Sequence, residues 1–64
     1  MTDLKATIKD YLRVNGETRG GQLLQEFAKP PYKASDVMLA LFGLNSGREV
    51  LLREERDAIF YKVA

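Results

Sequence analysis

Apolar residues recur at helical spacing from the start of the chain. Leu4, Ile8, Tyr11 and Leu12 share one side, with Lys5, Lys9, Asp10 and Arg13 on the other. The pattern predicts a helix from about Asp3 to Val14, with Thr2 or Asp3 placed to cap its orphan N–H groups and Asn15-Gly16 to end it. Glu17-Thr18-Arg19 is short and polar and reads as an extended entry or β-bridge before the next helix. That second helix covers about Gly21 to Ala28, with Leu23, Leu24, Phe27 and Ala28 as its apolar face. Lys29-Pro30-Pro31 stops it, because the residue before a proline is pushed out of the α region. A third helix is predicted from near Lys33–Ser35 to Ser46, with Asp36 in its first turn at the positive end of the dipole and Gly47 as the residue that ends it.

The last part of the chain changes period. Val50-Leu51-Leu52 and the run from Ala58 to Val63 are rich in branched and aromatic residues, as strands are. Arg53-Glu54-Glu55-Arg56-Asp57 between them reads as the tip of a hairpin. Period-two alternation puts Ile59, Tyr61 and Val63 on one face and Phe60 and Lys62 on the other. An isolated hairpin is marginal in water, so this one must pack on the helices. The expected architecture is α+β: three helices followed by a C-terminal hairpin, all in one domain.

Composition removes most chemistry. The chain has 64 residues, no cysteine and no histidine, so it lacks thiolate ligands, disulfides, and the commonest general base and metal ligand. No cofactor or metal is expected. Ser35 and Ser46 have no histidine to activate them. Glu54 and Glu55 are neighbours in an extended stretch and point to opposite faces, so they do not form a catalytic pair. Gly20-Gly21 lacks the Lys-Ser or Lys-Thr of a phosphate loop, and the carboxylates lack Ca²⁺-loop spacing. The reading is a non-enzyme. The longest apolar run, Val37 to Leu44, falls far short of the roughly 20 residues a membrane span needs, and the N-terminus has no signal-peptide pattern. The expectation is a cytoplasmic protein without a membrane partner.

The order of elements resembles the winged helix-turn-helix, and in particular its minimal single-domain members, the FeoC and PapI-like small bacterial regulators. The resemblance rests on Ile8-Lys9-Asp10-Tyr11-Leu12-Arg13-Val14-Asn15-Gly16, on Gln22-Leu23-Leu24, on Val37-Met38-Leu39-Ala40-Leu41, on Arg48-Glu49-Val50-Leu51 and on Tyr61-Lys62-Val63. It is a pattern of elements and apolar positions spanning nearly the whole chain. The cysteine cluster of the FeoC wing has no counterpart here, so no iron–sulfur role carries over. The resemblance implies a third helix lying in the DNA major groove and a wing touching the backbone.

That implication meets an unusual third helix. At 100° per residue, Val37, Ala40, Leu41 and Leu44 form one side, and Ser35, Leu39, Phe42 and Ser46 the other, with Asp36 flanking. No Lys, Arg or His stands between Ala34 and Gly47, although base readout normally uses Arg or Lys on guanine and Asn or Gln on adenine. Leu39 and Phe42 are then either additional core residues or an exposed apolar patch, which marks a protein interface. In the wing, Arg48, Arg53, Arg56 and Lys62 are matched by Glu49, Glu54, Glu55 and Asp57, and the net charge of the chain is +1. Two functional readings stand side by side. In one, a small DNA-binding transcriptional regulator acts as a dimer, with Lys33, Arg53, Arg56 and Lys62 on phosphates and Ser35, Asp36 and Leu39 toward the bases of double-stranded DNA. In the other, the same scaffold is a protein-interaction module in which Leu39 and Phe42 anchor a protein partner or a second copy.

Overall fold

The computed structural model describes residues 3–64. The first helix, α1, spans Leu4–Asn15, with the Asp3 carboxylate accepting from the Lys5 N–H at 3.1 Å. Thr2, the other capping candidate, lies outside the described residues. α1 ends at Gly16, whose φ of +80° is the left-handed region that favours glycine. A two-residue strand, β1 (Thr18–Arg19), leads directly into α2 (Gly20–Phe27), which starts one residue earlier than the pattern predicts. The Pro30-Pro31 bond in the turn that follows is cis. α3 covers Ala34–Ser46, and β2 (Val50–Glu55) and β3 (Ala58–Val63) complete the chain.

The sheet order is β1-β3-β2, both pairs antiparallel, with Thr18 opposite Tyr61 and Val50 opposite Val63. The core lies where this sheet meets the helices. It comprises Ile8 and Leu12 of α1, Leu23 of α2, Val37, Ala40, Leu41 and Leu44 of α3, and Val50 and Tyr61 of the sheet. Tyr11 and Phe27 pack edge-to-face at its margin, with ring centroids 5.4 Å apart. The four apolar positions assigned to the inner side of α3 are therefore the four it buries.

Two sequence expectations are corrected. Arg53, Glu54 and Glu55 belong to β2, and the hairpin turns on Arg56 and Asp57 alone, since Glu55 pairs with Ala58. Charge did not end the strand: Arg53 and Glu55 lie on the outer face, which meets water, and Glu54, opposite Ile59 on the other face, stays exposed near the tip. The end of α3 also differs. Gly47 keeps an ordinary φ of −82°, and Arg48 takes the left-handed position at +60°. The Glu49 N–H reaches the Leu44 carbonyl at 2.9 Å and the Arg48 N–H the Asn45 carbonyl at 3.0 Å, the paired bonds of a Schellman ending. Asn45 then ties the helix to β2 by donating to the Val50 carbonyl at 3.0 Å.

Candidate nucleic-acid interface

The outward face of α3 is built by its own periodicity. Turning Val37, Ala40, Leu41 and Leu44 into the core leaves Ser35, Met38, Leu39 and Phe42 outside. Leu39 is 69% exposed, Phe42 72% and Met38 48%, so Leu39 and Phe42 are not core residues. They form an apolar patch on a helix that lacks an outward cation or amide along this face.

The charged candidates surround that patch unevenly. Lys33, at the N-cap of α3, is exposed and makes no ion pair among the described residues. The Asp36 carboxylate accepts from the Lys33 backbone N–H at 2.8 Å, so it serves the start of the helix. Arg56 sits at the turn of the wing with φ +53° and is also without an ion pair among the described residues. Arg53, by contrast, is fully engaged. Its Nε and one terminal nitrogen donate to both carboxylate oxygens of Glu17 at 3.1 and 2.8 Å, its other terminal nitrogen donates to Glu55, and its guanidinium lies 4.7 Å from the Phe60 ring centroid. These hydrogen bonds, from Glu17 first and then Glu55, hold the Arg53 pKa above its usual value. The Glu17 carboxyl is held below its usual value chiefly by the hydrogen bond from Arg53, and less by the charges of Arg53 and Lys62.

Strand alternation sorts the wing into two faces. Arg53 and Lys62 share the outer face with Phe60, whereas Leu52, Ile59 and Tyr61 lie on the face that carries the buried residues. The structure thus groups Lys33, Ser35, Leu39 and Phe42 on α3, places Arg56 at the tip of the wing, and sets Arg53 and Lys62 on a separate surface. Met38 and Tyr61 were missed by sequence reasoning. Met38 read as part of an apolar run, and a buried tyrosine reads as core. Burial raises the pKa of the Tyr61 phenol. Among the described residues, no cluster of acidic side chains is arranged to hold a metal ion.

Three helices, a hairpin wing and a third helix displayed beside it define a winged-helix domain. Comparison with solved structures agrees. The chain superposes with a TM-score of 0.78 on the Zalpha domain of PKZ in complex with ds(CG)6, at 21% identity, covering 97% of this chain and 100% of that one. It superposes with a TM-score of 0.75 on the Zalpha domain from Carassius auratus PKZ in complex with Z-DNA, at 21% identity, covering 95% of this chain and 92% of that one. At that identity the likeness is one of fold. No family model and no curated protein matches the chain, so the narrower resemblance to FeoC and PapI-like regulators rests on element order alone.

Proposed function

We propose that this domain binds double-stranded DNA through α3 and the tip of the wing, and that it reads the conformation of the duplex more than its base sequence. The observation that carries the reading is the superposition over nearly the whole chain on domains whose structures were determined with ds(CG)6 and with Z-DNA. The chemistry of α3 supports conformational readout. Its outward Ser35, Met38, Leu39 and Phe42 offer van der Waals and edge contacts but no bidentate partner for a base pair. Lys33 and Arg56, both without ion pairs among the described residues, are suited to phosphates, which position a protein on a duplex without carrying sequence information. Lys62 and Arg53 make outer-face phosphate contacts only where the duplex wraps the wing. In its finer form the reading is a small transcriptional regulator that acts as a dimer, since one domain of net charge +1 makes few phosphate contacts.

Fluorescence anisotropy with labelled ds(CG)6 and a mixed-sequence duplex of equal length tests this, with circular dichroism following the handedness of the repeat. The expected result is binding at low salt that favours the CG repeat and is accompanied by a change in its handedness. With two free phosphate-directed cations, log K should fall with log salt at a slope of about −2. The absence of measurable binding to either duplex at low salt would refute the reading.

A second reading is favoured by one observation, the exposure of Leu39 and Phe42 side by side on an uncharged face. Large apolar side chains displayed together mark protein interfaces, and the occupant would be a second copy or another protein. Light scattering across a concentration series separates the copies. A monomer at every concentration that also fails to bind DNA leaves a different protein as the partner.

A further inference from the structure

A half-open depression of about 240 Å³ lies between the first turn of α2, Met38 of α3 and the inner face of the wing, and of its lining the readings above use Met38 alone. Three independent features meet there. First, α2 begins without a side-chain cap: Arg19 stands at the N-cap position and offers only donors, and although the β1–β3 register turns the Gly20 N–H to the Ile59 carbonyl, the Gly21 N–H has no side-chain acceptor among the described residues. Gly20 and Gly21 line the depression, and a Cβ at Gly21 would meet nothing within 4 Å, so space lies open above that backbone. Second, Tyr61 is only 5% exposed, yet its hydroxyl has no hydrogen-bond partner among the described residues. No fully buried side-chain polar atom among the described residues is unsatisfied, so the hydroxyl keeps some access to solvent, and Tyr61 lines the depression. The edge of its ring comes within 3.2 Å of where a Cβ on Gly20 would sit, which puts it against the start of α2. Third, Arg19 makes no ion pair among the described residues.

We propose that this depression is a receptor for a small amphipathic oxyanion. The anionic head is held by the Arg19 guanidinium, the Gly21 N–H and the Tyr61 hydroxyl. The positive end of a helix and aligned N–H donors favour such a group. The apolar body lies against Leu24, Met38 and Ile59, which form the remaining wall. The volume is below the roughly 300 Å³ at which drug-sized sites begin, so it suits a body of one aromatic ring. Asp57 stands on the rim and repels an anion, which orients the head toward α2. The oxyanion chemistry is common to an aryl carboxylate and an aryl phosphate.

The test is an amide NMR titration of the chain with benzoate, with phenyl phosphate and with inorganic phosphate, in the absence of DNA, so that its outcome is separate from that of the duplex experiment. Saturable shifts centred on the Gly20 and Gly21 amides with either aryl anion support the site, and the tighter of the two identifies the head group. Arg19→Gln and Tyr61→Phe should each weaken binding about tenfold, the scale of a lost hydrogen bond to a charged group. Asp57→Asn should strengthen it. Gly21→Ala keeps the fold, because nothing obstructs the added methyl group, and melts no lower than the parent while losing the ligand. The proposal is overturned by the absence of saturable shifts at these amides, by Arg19→Gln and Tyr61→Phe binding as the parent does, or by inorganic phosphate binding as tightly as the aryl anions.

Discussion

Leu39 and Leu41 stand two positions apart on α3 and differ by about 200° around it. The same substitution at each should give opposite results. Leu41 is 1% exposed. Leu41→Gln removes a fully buried side chain, worth about 1.5–3 kcal/mol. It also leaves an amide without partners in the core, for a further cost of about 1–3 kcal/mol. The sum, about 2.5–6 kcal/mol, is as large as the roughly 3–5 kcal/mol that a core of this size supplies, so the variant is mostly unfolded at room temperature. Leu39 already meets water over most of its surface. Leu39→Gln keeps a good helix former and should change stability by no more than about 0.5 kcal/mol, a shift of about 2–4 °C in Tm. Thermal melts by circular dichroism read both values. The functional half uses the folded variant: Leu39→Gln should lose at least about tenfold in affinity for the duplex or for the protein partner, whichever occupies α3. A Leu39→Gln chain that melts as early as Leu41→Gln, or a Leu41→Gln chain that melts with the parent, refutes the assignment of faces. A folded Leu39→Gln chain that binds as the parent does removes the patch from both functional readings.

Arg48 occupies a left-handed position at a cost of about 1–2 kcal/mol, against about 0.4–1 kcal/mol of added chain entropy when glycine replaces it. Arg48→Gly should therefore stabilise the domain by about 0.5–1 kcal/mol and raise its Tm by a few degrees; a lower Tm would show that the Arg48 side chain makes a compensating contact. Arg56→Ala should lower the salt slope of DNA binding by about one unit, and Arg53→Ala should change it less, because Arg53 is already tied to Glu17, Glu55 and Phe60. The reverse order would place the wing's outer face on the duplex. Glu17 has a depressed pKa in the folded state, so its bond to Arg53 contributes above the usual carboxylate range and is lost as pH falls below that range. Amide shifts along β1 and β2 should report this loss on acidification, and Glu17→Gln should abolish the acid-dependent step.

Helical periodicity located the three helices to within about two residues and identified the buried side of α3 residue by residue. The strand pattern did the same for the inner face of β3. Where the reading stopped, the reasons are physical. Charge along Arg53-Glu54-Glu55 resembles a solvated tip as much as the exposed end of a strand, and only pairing with Ala58, Ile59 and Phe60 distinguishes them. The engagement of Arg53 depends on Glu17, 36 residues away, a contact that no local spacing encodes. Gly47 carried the expected signature of a helix end, yet one residue of further winding moved the left-handed position to Arg48. The exposure of Leu39 and Phe42 was open in the sequence because an apolar residue on an apolar helix has the same identity inside and outside; the position of the neighbouring elements decides it. The depression beside Tyr61 joins three elements distant in sequence, and its one local trace was the glycine pair that begins α2.

The sheet places β3 at its centre, flanked by β1 from the start of the chain and β2 from the other arm of the hairpin. That middle strand also comes last among the six elements in chain order. In chain order, all three helices precede the strand that joins Thr18 to Leu52 through Tyr61. The inner sides of α1 and α3 therefore stay uncovered until β3 is in place, and folding waits for the whole domain. A chain truncated before Phe60 should remain open to proteases, and one carried through Val63 should close in one step.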